Sequence, residues 1–100
     1  MAQYSFKKSS YFFIGESRLE LSEIRINSEV KLKVKDKRNR IIIIPFQVTR
    51  NACLGKNSRW VYGRILDAPE GEHYQIEIKL HKEDPAQDTI EVFPHAPQLF

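Results

Sequence analysis

The sequence predicts an all-β protein, a small antiparallel β-barrel of the split-barrel type with about five to seven strands and little or no helix. Several segments alternate apolar and polar residues with a period of two, which is typical of half-buried strands. Clusters of Gly, Pro, Asn, Asp and Ser separate these segments. No stretch places apolar residues at helical spacing, so short strands joined by turns remain as the predicted architecture.

Strand candidates occur along the whole chain, and in order they cover residues 10–14, 18–26, 29–35, 41–50, 59–66, 74–80 and 89–93. The first, "SYFFI", and the second, "RLELSEIRI", qualify through their apolar content. In the second, the apolar phase shifts between Leu21 and Ile24, which predicts a bulge or bend at Ser22 and Glu23.

The clearest alternation is "EVKLKVK", in which three apolar residues face one way and Lys31, Lys33 and Lys35 face the other. The polar segment "KDKRNR" then predicts a turn, and "IIIIPFQVTR" a second strand. Because Ile41–Ile44 are apolar on both faces, we expect the start of this strand to lie in the middle of the core. Pro45 cannot donate a backbone hydrogen bond, which predicts a bulge or a locally free edge.

The second half of the chain repeats the pattern of strands and turns. Residues 51–58 are predicted as a turn, and "RWVYGRIL" as a strand in which Gly63 marks a bulge or a close backbone approach. A second turn covers 67–73, and "YQIEIKL" alternates again. Residues 82–100 are predicted as a partly extended tail with several prolines, in which "TIEVF" forms a last edge strand.

Length and charge limit the possible classes of protein. One hundred residues make a single domain, 1–100, with a mildly basic net charge of +3 from 16 basic and 13 acidic residues. Charge alone leaves an anionic ligand open. The single cysteine excludes an intrachain disulfide, and the apolar stretch Tyr11–Ile14 is too short for a signal peptide or a membrane span. We therefore expect a cytoplasmic protein without membrane insertion, whose oligomeric state is open.

The sequence contains no recognisable catalytic or metal-binding motif. Cys53 lacks the surroundings of a known nucleophile, and His73, His81 and His95 lack the paired spacing of zinc ligands. Neither a GxGxxG segment nor a Walker-type loop occurs. We expect a protein that is not an enzyme and that needs no metal or cofactor.

The densest positive charge lies in residues 31–40. Lys31, Lys33 and Lys35 form a row with about 6.6 Å between neighbours, a spacing that suits phosphates but equally suits a solvated face or a protected edge strand, which we favour. At the predicted turn, arginine side chains can grip an anion with two hydrogen bonds. The candidate ligand-binding residues there are Lys37, Arg38 and Arg40.

A second candidate group mixes arginines with aromatic residues, a combination used for stacking nucleic-acid bases. It consists of Arg59, Trp60, Tyr62 and Arg64. Trp60 and Tyr62 share one face of the predicted strand, and they fit the core as well as a binding surface.

The order of "ELSEIRI", "VKLKV", "FQVTRN" and "WVYGRIL", across roughly residues 19 to 67, resembles a PilZ domain, a bacterial small β-barrel that commonly binds cyclic di-GMP. In that family a serine motif, D/N-x-S-x-x-G, precedes strands of this kind. Ser22 matches the serine, Glu20 replaces the Asp or Asn, and Ile24 and Arg25 stand where the glycine belongs.

The chain also lacks the R-x-x-x-R loop with which PilZ domains grip the dinucleotide, since its N-terminal basic residues are Lys7, Lys8 and Arg18. The resemblance therefore implies a signalling adaptor that works through contacts with another protein and whose cyclic di-GMP binding is impaired. The alternatives are cyclic di-GMP binding through other arginines, and binding of single-stranded nucleic acid by a small barrel through Arg, Lys and aromatic residues.

Overall fold

The computed structural model describes residues 8–15, 24–53 and 57–94. Within these ranges the chain forms six β-strands and one short 3₁₀ turn, and it forms no α-helix. The strands are β1 (Ser9–Phe13), β2 (Glu29–Lys35), β3 (Ile41–Cys53), β4 (Ser58–Ile65), β5 (Tyr74–His81) and β6 (Thr89–Pro94), and the 3₁₀ turn is Pro85–Gln87.

The six strands close into a barrel in which each strand is antiparallel to the next. β6 pairs with β5 on one side and with β1 on the other, for example Ile78 with Ile90 and Tyr11 with Ile90. The prediction of a small antiparallel barrel is confirmed. The expectation that "TIEVF" forms an edge strand is wrong, because this strand closes the barrel and has a neighbour on each side.

The barrel interior is filled by every second residue of the strands. β5 shows the pattern most clearly, since Tyr74, Ile76, Ile78 and Leu80 are all buried while the residues between them are half exposed. Among the described residues, no charged or polar residue belongs to this buried core. Removal of these apolar side chains from water is the main force that holds the barrel together.

The four consecutive isoleucines divide between the two sides of β3. Ile42 and Ile44 are buried in the barrel, whereas Ile41 and Ile43 keep 59% and 48% of their surface exposed. The expectation that all four lie in the core is therefore wrong for Ile41 and Ile43. The alternation of the strand turns them outward, and the side of the barrel that carries them is left open to water.

β3 is the longest strand, with 13 residues, and its two halves pair with different neighbours. Its first half pairs with β2 and its second half with β4, with a register shift between Val48 and Arg50. The extra residue at this bulge, Thr49, changes the phase of the strand. Val48 faces inward. Without the bulge Arg50 would also face inward, but here it pairs with Tyr62 and faces outward.

Pro45 lies at a locally free edge rather than at a bulge. It is opposite Lys31 of β2, and its carbonyl oxygen accepts a hydrogen bond of 3.0 Å from the backbone N–H of Leu66, just beyond the end of β4. The missing N–H of the proline therefore removes no bond to a neighbouring strand.

Two predictions, one of a strand and one of a turn, need correction. Residues 24–26 do not continue a strand: Ile24 is buried, and Ile26 and Asn27 form a turn in which the N–H of Asn27 donates to the Val48 carbonyl at 2.7 Å. The predicted bend at Ser22 and Glu23 lies outside the described residues. Within the predicted turn at 51–58, residues 51–53 instead extend β3 and Ser58 begins β4.

Gly63 is a point of close approach, as its sequence context predicts. A Cβ atom on Gly63 would point into the barrel, would overlap the ring of Phe46 and would lie 2.9 Å from the carbonyl oxygen of Gln47. Phe46 is fully buried, so its ring has no free space into which to move.

We predict that Gly63→Ala destabilises the protein by about 1–3 kcal/mol, the usual cost of adding a methyl group to a packed core. Chemical denaturation measures the change. The matched control is the same substitution in a Phe46→Leu background, where the ring edge is gone and the added cost should shrink. An equal cost in both backgrounds would show that the ring contact is not the cause.

Candidate functional site

The residues predicted to bind a ligand lie on two elements of the barrel. Lys37, Arg38 and Arg40 belong to the turn between β2 and β3, and the other four lie on β4. The two groups are held by different contacts, and each forms a surface of its own.

The turn, residues 36–40, is organised by the carboxylate of Asp36. Its Oδ1 accepts hydrogen bonds from the backbone N–H of Arg38 at 2.8 Å and of Arg40 at 2.9 Å, and its Oδ2 accepts one from Arg40 Nε at 2.8 Å. Asn39 has a φ of 62°, a left-handed conformation that asparagine tolerates better than most residues. A sequence of Asp followed by Asn three residues later is typical of such turns.

The ion pair within the turn reduces the positive charge available to a ligand. The Asp36 carboxylate is 13% exposed and the Arg40 side chain 67% exposed. Desolvation raises the pKa of Asp36, but the hydrogen bonds from Arg40 and Arg38 and the charge of Arg40 outweigh it and hold the pKa below its ordinary value. Arg40 is therefore bound within the turn, and Lys37 and Arg38 are the cations that extend freely from it.

A shallow groove of about 330 Å³ lies between this turn and the start of β1. Its lining includes Lys37, Arg38 and Arg40 together with Lys8 and Tyr11. Sequence reasoning missed Lys8 as a neighbour of the turn, because only the pairing of β1 with β2 brings it there. Since the residues of β4 are not part of this lining, the groove does not unite the two predicted groups.

The four residues of β4 divide between the two sides of the strand. Trp60, Tyr62 and Arg64 alternate with the buried Val61 and Ile65, so they face outward. Arg59 has the phase of the buried residues and pairs with the buried Leu80. Arg59 is thus separated from the outward-facing three.

Trp60 and Tyr62 form a half-buried aromatic pair on the outer side of the strand rather than part of the core. Their rings meet edge to face, with 6.3 Å between the centroids and 68° between the planes. Lys79 Nζ lies 4.5 Å from the Trp60 centroid, and the guanidinium of Arg50 lies 5.8 Å from that of Tyr62. Both are within the range of cation–π attraction.

We call this surface the aromatic face; its members are Arg50, Trp60, Tyr62, Arg64 and Lys79. Arg64 also donates to the side-chain oxygen of Gln47 at 3.1 Å. Sequence reasoning missed Lys79, which is the cross-strand partner of Trp60, and Arg50, which the bulge turns outward. The alternation in β5 already placed Lys79 on the outer side, but its register against Trp60 required the structure.

A third surface lies on the outer side of β1, β2 and β3, where lysines stand beside exposed apolar residues. Lys35 is flanked by Phe12 on β1 and Ile41 on β3, and Lys33 is paired with Ile43. Phe12 is 50% exposed, and Ile41 and Ile43 are similarly open to water. We call this surface the lysine face, and it consists of Phe12, Lys31, Lys33, Lys35, Ile41 and Ile43.

The histidines of the described chain do not converge on one site. His73 lines a second cavity of about 340 Å³ beside Arg64 and Tyr74. His81 lies at the other end of β5, where Asp88 accepts its backbone N–H at 2.6 Å and lies 3.6 Å from its Nδ1. Across residues 8–15, 24–53 and 57–94, no group of three or more His, Cys, Asp or Glu side chains is placed to hold a metal ion.

We predict that Asp36→Asn loosens the turn and lowers stability at neutral pH. Because the pKa of Asp36 is lower in the folded protein than its ordinary value, its contribution is present above that ordinary value and is lost as the pH falls through the folded pKa. Denaturation curves of the wild type and the variant should therefore converge at acidic pH.

Hydrogen exchange of the Arg38 and Arg40 amides, which the Asp36 carboxylate holds, should be faster in Asp36→Asn. Glu83→Gln is the matched control, since Glu83 is an exposed carboxylate elsewhere on the surface. An unchanged difference in stability between the wild type and Asp36→Asn from neutral to acidic pH would contradict the role of the carboxylate.

In the part of the chain that the structure describes, no helix is long and apolar enough to cross a membrane. Comparison of the chain with protein-family models, with curated proteins and with solved structures finds no significant match.

Proposed function

We propose that the protein is a non-enzymatic, PilZ-like binding module that acts through contact with another protein. The observation that carries the proposal is the lysine face, on which the row of lysines on β2 lies between Phe12 on β1 and Ile41 and Ile43 on β3, all three of them about half exposed. The closed antiparallel barrel and the sequence segments in residues 19–67 that resemble PilZ domains support the type of module.

The chemistry of the lysine face indicates what kind of partner it fits. Burial of exposed apolar surface stabilises a complex by about 25 cal/mol per Å² before the costs of association are subtracted. The lysine stems can add to this apolar contact, but their ammonium groups must stay in water or meet acidic groups. A surface that combines aliphatic residues with Asp or Glu satisfies both requirements.

The placement of the arginines supports impaired binding of cyclic di-GMP. A dinucleotide requires several cations that converge on its phosphates and guanines. Here Arg40 is paired with Asp36 and Arg64 is bonded to Gln47, while Arg59 lies on the inner phase of β4. The proposed module therefore uses its surface for a protein partner instead of a nucleotide.

We predict that peptides selected from a library of short random sequences on this protein are rich in acidic and apolar residues. The double variant Lys33→Glu/Lys35→Glu should weaken their binding by about tenfold or more, because it replaces attraction with repulsion at the centre of the face. Lys82→Glu, at an exposed lysine beyond the end of β5, is the control and should leave binding unchanged. Selected peptides that bind all three proteins equally would contradict the proposal.

Calorimetric titration with cyclic di-GMP tests whether nucleotide binding is impaired, as the proposal states. We expect no binding in the micromolar range. Micromolar affinity that is lost on substitution of Arg38 and Arg40 by alanine would show that the module is a dinucleotide receptor.

The aromatic face favours a second candidate function, the binding of single-stranded nucleic acid. Half-exposed Trp60 and Tyr62 can stack on bases, and Arg50, Arg64 and Lys79 surround them with positive charge. Small barrels that bind single strands combine the same two features.

If this second function operates, a fluorescent oligo-dT should bind with an affinity that falls as salt rises, and Trp60→Ala should weaken binding by about 1–3 kcal/mol for one lost stacking contact. Phe12→Ala, which removes an exposed aromatic ring from the lysine face, is the matched control and should have little effect. Flat anisotropy at low salt would eliminate this function.

A further inference from the structure

The groove beside the turn opens where the pairing between β1 and β2 ends. In the described chain these two strands pair over a short length, which ends with Phe12 opposite Lys35. Beyond this point they separate, so that residues 8–11 form one wall of the groove and residues 36–40 form the other. The groove therefore adjoins the lysine face, to which both Phe12 and Lys35 belong.

The groove has an apolar floor and a positively charged rim. Tyr11 and Ile42 are each 3% exposed, so they lie at the bottom, as part of the barrel core. Lys8 stands on the wall formed by β1, whereas Lys37 and Arg38 stand on the wall formed by the turn, and all three are exposed. A ligand that enters the groove thus meets cations on both sides.

The charges of these three cations are not neutralised within the described chain. None of them takes part in an ion pair there. The carboxylate of Asp36 also lines the groove, but its oxygens accept two backbone N–H groups and the Nε of Arg40, whose charge balances its own. The described lining therefore carries three positive charges in excess.

The turn holds its share of these charges on an ordered backbone. Four of its N–H groups donate to acceptors within the turn, those of Asp36, Arg38, Asn39 and Arg40. The N–H of Lys37 has no acceptor in the described chain and is available to a bound anion. Because the main chain is ordered before a ligand arrives, binding here requires little further loss of conformational freedom.

The charge of the groove fits a phosphomonoester better than a carboxylate. A phosphomonoester carries about −1.5 to −2 charges at neutral pH and offers three strong acceptor oxygens. Three cations match this demand, and the arginine among them can bind two oxygens at once. A carboxylate has a single charge and two oxygens, so it would leave part of the excess positive charge unmatched.

The floor of the groove indicates what carries the phosphate. Tyr11, the one aromatic residue of the described lining, is buried, so its ring offers no open surface on which a nucleotide base could stack. A phosphate on a short side chain needs no such surface. Since the groove adjoins the lysine face, a polypeptide that covers that face reaches the groove directly.

We propose that the groove binds a phosphorylated serine or threonine of the partner protein. The inference rests on the proposed function, and it adds that phosphorylation of the partner controls the complex. Aliphatic and acidic residues of the partner contact the lysine face, while the phosphate lies between Lys8 on one wall and Lys37 and Arg38 on the other.

Three peptide libraries test the inference on the wild-type protein. They share random flanking residues and differ at the central residue, which is phosphoserine, glutamate or serine. Peptides selected from the phosphoserine library should bind about tenfold or more tightly than the same peptides with glutamate at the centre, because glutamate lacks the second charge and the third oxygen. The versions with serine should bind more weakly still.

Two double variants that each remove two positive charges separate the groove from the lysine face. Lys37→Ala/Arg38→Ala should abolish the preference for phosphoserine over glutamate, and it keeps the Arg38 N–H that Asp36 accepts. The matched control, Lys33→Ala/Lys35→Ala, should weaken both versions of a peptide by the same factor and leave the preference intact.

Equal affinity of the phosphoserine and glutamate versions for the wild type would overturn the inference, and so would a preference that survives Lys37→Ala/Arg38→Ala. Adenosine monophosphate that displaces the phosphopeptide at equal affinity would overturn it as well, by assigning the groove to a free phosphorylated metabolite. Library peptides that depend on Lys33 and Lys35 but not on the phosphate would overturn the inference while the proposed function stands. A phosphoserine preference in peptides that ignore Lys33→Glu/Lys35→Glu would contradict the proposed function instead.

Discussion

Contact between the inward side chains of six strands is the constraint on which the rest of this structure depends. A barrel of this size has an interior just wide enough for one layer of side chains from each wall, so each inward position must be filled without excess. Where Phe46 occupies much of that space, the facing position on β4 is Gly63. The outer surface is free of this constraint, and all three candidate surfaces lie there or at the turn that joins β2 to β3.

The length of β3 links the interior to those surfaces. A strand of 13 residues does not pair along its whole length with either neighbour. Its pairing with β4 stops next to Pro45, and the bulge at Thr49 changes which of its side chains face inward. The first event creates an unpaired length of backbone beside exposed isoleucines. The second carries Arg50 from the inner to the outer phase, where it meets Tyr62. Both the lysine face and the aromatic face thus depend on irregularities in one strand.

Much of the fold follows from the sequence because alternation is a local property. The strands at 29–35, 59–66 and 74–80 and the close approach at Gly63 could all be predicted from their own residues. Burial of Ile41 and Ile43 was predicted wrongly, because two apolar faces look alike in a sequence whether or not a second layer covers them. The closing role of "TIEVF" depends on a partner some 80 residues earlier in the chain, which no local pattern contains.

The candidate residues show the same division between local and distant information. The turn at 36–40 could be predicted from its composition, but the ion pair between Arg40 and Asp36 depends on the conformation of that turn. The separation of Arg59 from Trp60, Tyr62 and Arg64 follows directly from alternation. The positions of Lys79 over Trp60 and of Lys8 beside the turn depend on strand register and on barrel closure, and these are set by the packing of the whole interior.

Pro45 has a consequence for the behaviour of the protein in concentrated solution. A run of four isoleucines on a strand with one unpaired edge is the kind of sequence that can seed a growing stack of identical strands. Such growth requires each added strand to bond along a continuous length of backbone. Here the missing donor of Pro45 and the bond to Leu66 stop the ladder at one end, and the charged Arg40 stops it at the other. The chain can keep this apolar segment exposed without offering a template long enough for fibril growth.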